Sequence, residues 1–348
     1  MDRSIAFPGE ERTLADNANI RILGRHTVVE DCLAFDWSAS GFAFNFHGTG
    51  FVISLGAYTG EVPAYVKIKI DRNHRQRFAV VNGSEKLIIE GLSDSRHRVE
   101  VLKVTEGFPK LLFKSIAFFG SDPGFNLPPH RPSRRIEYIG DSITCGYGVL
   151  GRATDPGFET WQEDCTYSYA YLTSESLGAE GRYICISGKG IVCNCEGNRE
   201  DVKAGSYCEY TSASGGGICD DGWIPGAVVI NIGTNDAGGP AGSEEFSEAA
   251  AELIAKVRKR YPEAYIVWLY GMMNNNYINE LREVVKKVSA NDKKVCLLYL
   301  EAIKASSNEI GANGHPNVRA SVRAANALSK KLTSLTGWTK SPVDGEEE

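Results

Sequence analysis

Four short stretches of this chain hold residue types that could do acyl-transfer chemistry together. The first is Gly140-Asp141-Ser142, which follows the β-forming run of Ile136, Tyr138 and Ile139 and precedes a turn through Gly146 and Gly148. A serine at the C-terminal end of a buried strand stands at the rim of a sheet, where open α/β folds bind ligands. Its backbone is pinned and its hydroxyl is open, as a nucleophile requires. The second stretch is His315-Pro316-Asn317; beyond His130, His315 is the only histidine in the sequence. A serine nucleophile needs a base to accept its proton, and in the second half of the chain His315 has no rival. The other two stretches offer donors for a developing oxyanion. Ser187-Gly188-Lys189-Gly190 follows the run Tyr183–Ile186, and Gly233-Thr234-Asn235-Asp236 follows Val228–Ile232. The Ser142 N–H, the Gly188 N–H and the Asn235 side-chain amide are the candidate donors, and Asp141 is expected to fix its turn by hydrogen bonding. Each motif alone has a plainer reading: a polar turn after a strand, a histidine at a helix start, or an asparagine in a turn.

Bulk properties narrow the field. A length of 348 residues favours two domains. The composition, 42% hydrophobic and 24% charged, is that of an ordinary globular protein, and a net charge of −6 gives no basic footprint for nucleic acid. No apolar run reaches the ~18 residues of a membrane span. The first residues lack the apolar core of a signal peptide, so the expected location is the cytoplasm. Nine cysteines, an odd number, suggest free thiols in a reducing compartment. Cys193, Cys195, Cys208 and Cys219 cluster, but their spacing is irregular and no histidine accompanies them, so no metal site is expected. Cys145 and Cys185 should lie buried beside a sheet.

The elements that would position these groups fall into two patterns. Residues 1–127 read as short strands with regular turns, which suggests a β-sandwich of jelly-roll type. Phe42-Ala43-Phe44-Asn45-Phe46 alternates large and smaller groups, and Val66-Lys67-Ile68-Lys69-Ile70 alternates apolar and basic ones, one face buried and one wet. His26, His47, His74, His97 and His130 show no metal spacing and are expected at the surface or at strand edges. Residues 128–133, rich in proline, form a stiff linker. From 134 to 340 strands alternate with helices, giving an α/β domain with strands at 136–139, 183–186, 227–232, 265–270 and 295–299 in a parallel sheet flanked by helices. Helical stripes run through Phe246, Leu253 and Val257, with Ser243 as N-cap, through Leu281, Val284 and Val288, and through Val318, Val322, Ala325, Leu328 and Leu332. Residues 193–223 have no period and read as a lid or binding wall. The tail, 341–348, is expected to be disordered.

The order and content of the four stretches resemble the SGNH (GDSL) hydrolase superfamily. Within it, the chain is most similar to carbohydrate esterase family two, in which a jelly roll precedes the SGNH domain. The resemblance implies removal of acetyl groups from sugar hydroxyls, often at the 6-position, of plant polysaccharides or oligosaccharides such as xylan or glucomannan, without a metal or other cofactor. It implies that Ser142 is the nucleophile, His315 the base, and Gly188 and Asn235 oxyanion donors. The chain departs from the pattern at Ala312 and Asn313, where superfamily members carry the aspartate of a triad. A serine–histidine dyad is therefore expected. The Nδ1 proton would go to a backbone carbonyl or to the Asn313 side chain, and the histidine pKa would stay near its ordinary ~6.5. Glu301 and Glu309 are the nearest acids in sequence that could reach in. Tyr147, Trp161, Tyr207 and Trp223 are candidate sugar platforms. Two other readings are an SGNH lipase or thioesterase for longer acyl chains and an inactive carbohydrate-binding module.

Overall fold

The computed structural model describes residues 9–339 except 16, 72, 73, 108, 240 and 305, and the expected tail lies outside these residues. The chain divides into two compact units, one of residues 1–131 with 211–216 and one of residues 132–210 with 217–348. The segment 211–216, part of the long aperiodic stretch, therefore folds with the first unit.

In that first unit two antiparallel sheets carry the core between them. One runs in the order Thr27–Val29, Cys32–Phe35, Leu111–Phe119, Gly50–Leu55, Lys86–Ile89, and Arg12–Thr13 also pairs with Leu111–Phe119. The other runs Gly124–Phe125, Ser40–Gly48, Ser95–Lys103, Ala64–Ile70, His74–Val80, and Ile20–Leu23 also pairs with Ser40–Gly48. The period of two along a strand sends Phe42, Phe44 and Phe46 to the same face, and all three are fully buried. Phe44 meets Phe51 edge-on at 5.4 Å, and Phe46 stacks on Phe118 at 5.1 Å. Two expectations fail here. Lys67 and Lys69 are buried rather than wet, and Lys69 makes an ion pair with Glu100 at 3.2 Å across the paired strands. His97 is also buried: its ring packs on Phe46, and its Nδ1 lies 2.6 Å from Asp71 Oδ2. The side chain of His74 lies outside what is described. Trp37 Nε1–H donates to the Thr211 carbonyl (3.0 Å), and Asp36 accepts from the Ala213 N–H (3.1 Å), which anchors the 211–216 segment.

The second unit is built on a five-stranded parallel sheet ordered Glu180–Cys185, Arg135–Gly140, Ala227–Asn231, Tyr265–Gly271, Val295–Leu300. Ala227–Asn231 is buried along its whole length, as a central parallel strand is. Arg135–Gly140 and Ala227–Asn231 are neighbours in register, Gly140 opposite Asn231, so the loops that follow them leave the same edge side by side. Helices Ser243–Arg260, Ile278–Asn291 and Val318–Thr336 follow the expected stripes, with two differences in detail. Val322 is 44% exposed, because Ala320, Ala324, Leu328 and Leu332 carry the buried face instead. Ser243 is the first helical residue rather than the cap; Gly242 is the cap, and the Ser243 hydroxyl donates to Glu280. A further helix, Tyr169–Leu177, had no periodic signal because six of its nine residues are buried. Cys145 and Cys185 are buried at the sheet as expected, and the nine cysteines form no disulfide. No helix among the described residues is long and apolar enough to cross a membrane.

Phe44 sits at the centre of the aromatic core of the first unit. Phe44→Ala is expected to cost that unit about 3–5 kcal/mol. Urea unfolding followed by circular dichroism should show a transition moved to lower denaturant, and an unchanged midpoint would contradict the packing described.

Candidate active site

Ser142 begins a helix of four residues, Ser142–Cys145, at the end of the strand Arg135–Gly140. Asp141 caps that helix, its Oδ1 accepting from the Ile143 N–H at 3.0 Å. Gly146 ends it in the left-handed conformation (φ 79°), with its N–H donating to the Ser142 carbonyl. The turn is tight at its start as well: a Cβ on Gly140 would lie 2.0 Å from Thr144 Oγ1. Below it, Tyr207 O–H donates to the Gly140 carbonyl at 2.7 Å, and Thr144 Oγ1 bonds Tyr169 OH at 2.9 Å. The serine backbone is thus held from several sides, and its hydroxyl points to one partner.

That partner is His315. Ser142 Oγ lies 2.8 Å from His315 Nε2, although 173 positions separate the two residues. The imidazole is anchored at its other nitrogen, where Nδ1–H donates to the Asn313 backbone carbonyl at 3.0 Å. A carbonyl can only accept, so Nδ1 carries the proton and Nε2 is free to accept the serine proton. The carbonyl reaches the ring because Asn313 (φ 50°) and Gly314 (φ 74°) both turn left-handed. Ile310 and Pro316 then pair as a short bridge, and Asn317 caps the helix Val318–Thr336, so His315 is fixed on both sides. The Tyr147 ring lies 4.4 Å from the imidazole and stacks on Phe158.

No carboxylate among the described residues forms an ion pair with His315. Glu309 is held by Arg323 in a two-pronged contact, 2.8 Å at each oxygen. The Asn313 contribution is its backbone carbonyl and not its side chain. The His315 pKa also departs from the expected unperturbed value: burial lowers it, and the bonds to the Asn313 and Ala312 backbone only partly oppose that.

The two remaining strand-end loops meet at Asn235. Its Nδ2 donates to the Lys189 carbonyl (2.9 Å) and approaches Asp141 Oδ2 (3.3 Å), which joins all three loops at the sheet edge. Gly188 is left-handed (φ 76°), and a Cβ there would meet Cys195 Sγ at 2.8 Å, so the position needs glycine. Its carbonyl accepts from Cys195 N–H at 2.7 Å, whereas its own N–H has no intramolecular acceptor among the described residues. The Ser142 N–H, first in its helix, is likewise a free helix end. The arrangement offers a polarised serine beside unspent donors, which suits attack on an ester carbonyl.

The four aromatic candidates separate. Tyr147 is at the histidine, and Trp161 is 46% exposed on the neighbouring turn Thr160–Gln162. Tyr207 and Trp223 cannot be platforms. Tyr207 is fully buried under the serine turn, and Trp223 is buried with its Nε1–H on Glu180 and the Arg182 guanidinium over its ring. Residue type marks an aromatic in a loop but says nothing of which way it turns, and both bury because each has a polar partner inside. Two contributors were assigned no role from the sequence: Phe158, which backs Tyr147, and Asp236, whose carboxylate accepts from the N–H groups of Ile191, Val192 and Cys193. Among the described residues no group of three or more His, Cys, Asp or Glu is placed to hold a metal ion.

An α/β sheet with a serine–histidine pair, a glycine loop and an asparagine at its strand ends defines a class of acyl-group hydrolases. The chain belongs to the GDSL-like lipase/acylhydrolase family, whose sequence model matches residues 138–320. A second model, carbohydrate esterase 2 N-terminal, matches residues 22–125, so both parts of the resemblance expected from the sequence are present. The chain is 30% identical over 314 residues to the cellulase/esterase CelE of Acetivibrio thermocellus, covering 87% of this chain and 38% of that protein, little more than a third of its length. It is 22% identical over 342 residues to an acetylxylan esterase / glucomannan deacetylase of Cellvibrio japonicus, covering 93% and 91% of the two chains. Among solved structures it is similar to a family two carbohydrate esterase from Clostridium thermocellum in complex with cellohexaose (TM-score 0.84, 28% identity, 92% of this chain and 99% of that one).

The geometry sets the histidine titration. With burial dominant and no paired carboxylate, the imidazole should stay neutral at pH values below the usual ~6.5 midpoint and charge only in more acid solution. Proton NMR of the histidine ring signals, with His315 assigned by comparison with His315→Asn, should place its midpoint below that value. A midpoint near 7 or above would contradict the description of the site.

Proposed function

We propose that this protein is a carbohydrate acetylesterase that removes O-acetyl groups, chiefly 6-O-acetyl groups, from plant polysaccharides such as xylan or glucomannan or from their oligosaccharides. The observation that carries this reading is the 2.8 Å hydrogen bond from Ser142 Oγ to His315 Nε2, set among free N–H donors at the edge of a parallel sheet. The names of the similar proteins support the carbohydrate substrate.

In the first half-reaction His315 Nε2 takes the Ser142 proton as Oγ bonds to the acetyl carbonyl carbon. The carbonyl oxygen becomes an oxyanion, received by the N–H groups of Ser142 and Gly188 and by Asn235 Nδ2. As the intermediate collapses, the bond from carbon to the sugar oxygen breaks, and His315 returns its proton to that oxygen. The sugar leaves with a free hydroxyl, and Ser142 holds the acetyl group. Water then repeats the sequence: His315 takes its proton, its oxygen attacks the acetyl carbon, and acetate departs as Ser142 regains a proton. The Asn313 carbonyl keeps the imidazole in the tautomer each step needs. The aromatic wall of Tyr147, with exposed Trp161 nearby in sequence, is suited to a sugar ring at the mouth of the site.

Two sets of variants test the assignment. Ser142→Ala should lose several orders of magnitude in kcat against an acetylated xylan oligosaccharide while the fold survives. Asn235→Ala should lose about 10²–10³ in kcat with KM little changed, because the charge it meets exists only in the transition state. A rise in KM with kcat intact would make Asn235 a substrate-binding group instead.

The dyad reading has its own test. Glu309→Gln and Glu301→Gln should each leave kcat within a few-fold of wild type, since Glu309 is spent on Arg323. Because neutral imidazole is the active base, kcat/KM should climb as pH rises through a midpoint below ~6.5 and then stay level. A fall of about 10⁴ in either variant, the scale of a neutralised triad acid, would show a carboxylate at work.

A further inference from the structure

Asp236 is a heavily bonded carboxylate near the site, and the mechanism above does not use it. It is fully buried. Its Oδ1 accepts from the N–H groups of Val192 (2.8 Å) and Cys193 (2.9 Å), and Ile191 N–H points between both oxygens at 3.1 and 3.2 Å. Three successive N–H groups form a concave anion-binding nest of the kind that commonly takes a phosphate. Here an internal carboxylate fills it. The fit is close: a Cβ on Gly190 would lie 2.5 Å from Asp236 Oδ2 and 2.1 Å from the Cys193 carbonyl. The same turn is closed from within by Asn194 Oδ1, which accepts from the Gly190 N–H at 3.0 Å. At its other end Asp236 is fixed by Tyr277, whose hydroxyl donates to its carbonyl at 3.2 Å.

Its neighbours in sequence give this bond set its consequence. Asp236 directly follows Asn235, and the nest begins three residues after Gly188. Gly188 and Asn235 are two of the three oxyanion donors, and they follow different strands, Glu180–Cys185 and Ala227–Asn231. Asn235 itself joins the two loops by a neutral bond, Nδ2 to the Lys189 carbonyl. Nδ2 also donates to Asp141 Oδ2 at 3.3 Å, so an N–H turned toward an oxyanion is drawn from one of these two bonds. The Asp236 nest is a second, charged link between the same loops, and it does not use either donor.

We infer that Asp236 is the positioning residue of the oxyanion hole: its carboxylate staples the 188–193 turn to the Asn235 loop and sets the spacing between the Gly188 and Asn235 donors. The inference rests on the assignment of those donors under the proposed function. A carboxylate is required because it accepts on every lone pair. An amide at the same place would turn an NH₂ group toward N–H donors and lose at least one bond. Once the staple opens, the donors drift relative to each other. A misplacement of about 1 Å costs on the order of 10²-fold in rate.

The test is a double-mutant cycle on kcat and KM for an acetylated xylan oligosaccharide, with wild type, Asn235→Ala, Asp236→Asn and the double variant. Asn235→Ala alone checks the parent assignment: if it leaves kcat untouched, that assignment fails and this one falls with it. With that arm showing its loss, Asp236→Asn should lower kcat by about 10–10²-fold at unchanged KM. The double variant should lose clearly less than the product of the two single losses, because both changes damage the same donor. A carboxylate that only holds the fold together would give losses that multiply, or a kcat that is normal per folded molecule. Either result overturns the inference while leaving the parent assignment standing. Gly190→Ala covers the case in which Asp236→Asn does not fold. It pushes the same turn away with the carboxylate intact, and should show the same kcat-specific, non-multiplying loss; multiplying losses there also overturn the inference.

Discussion

The contact on which this site depends is one hydrogen bond between Ser142 and His315. Its two ends come from unrelated places: a strand end in the middle of the chain, and a loop before the last helix. At 2.8 Å it tolerates little drift, so both ends are built stiff. On the serine side the stiffness comes from Gly140 and Gly146, from the Asp141 cap, and from the buried tyrosines Tyr169 and Tyr207 beneath the turn. On the histidine side it comes from the left-handed pair Asn313–Gly314, the Ile310–Pro316 bridge and the Asn317 cap.

The electrostatics of the histidine follow from what holds it. A triad carboxylate would orient the ring and also stabilise the imidazolium. The Asn313 carbonyl performs the first task and, as a neutral dipole, little of the second. Burial then acts without a countercharge and lowers the pKa. As the proposed base, this imidazole is weaker than a triad histidine but is neutral over a wider span of acid pH. In the proposed mechanism transition-state stabilisation falls more heavily on the donors; the three loops at the sheet edge are cross-linked, through Asn235 to Lys189 and Asp141 and through Asp236 to the 191–193 turn.

What was legible in the sequence was whatever depends on period or on residue type at a strand end. The parallel sheet, the jelly-roll pattern, Ser142, His315, Gly188 and Asn235 all fall in that class. What was not legible depends on backbone atoms and on orientation. Any residue at 313 offers a carbonyl, so nothing in the side-chain code marked it as the histidine's anchor. Tyr207 and Trp223 look like platforms by type, yet each buries because a polar partner waits inside, Gly140 for one and Glu180 for the other. Lys67 and Lys69 fit an alternating wet face, and Glu100 draws Lys69 under cover. Asp236 reads as the last residue of a turn, and its three donors come from a loop more than forty positions earlier.

The acyl group proposed to form on Ser142 can be measured directly. Rapid quenching in acid during turnover of an activated acetyl ester, followed by peptide mass spectrometry, reads out which side chain is acetylated. The expected result is a single acetyl group on the peptide containing Ser142, at Ser142 itself, appearing within the first turnover and vanishing as substrate is exhausted. Turnover with no acetylated peptide at any quench time, or an acetyl group that forms at another residue and turns over there at the catalytic rate, would contradict it.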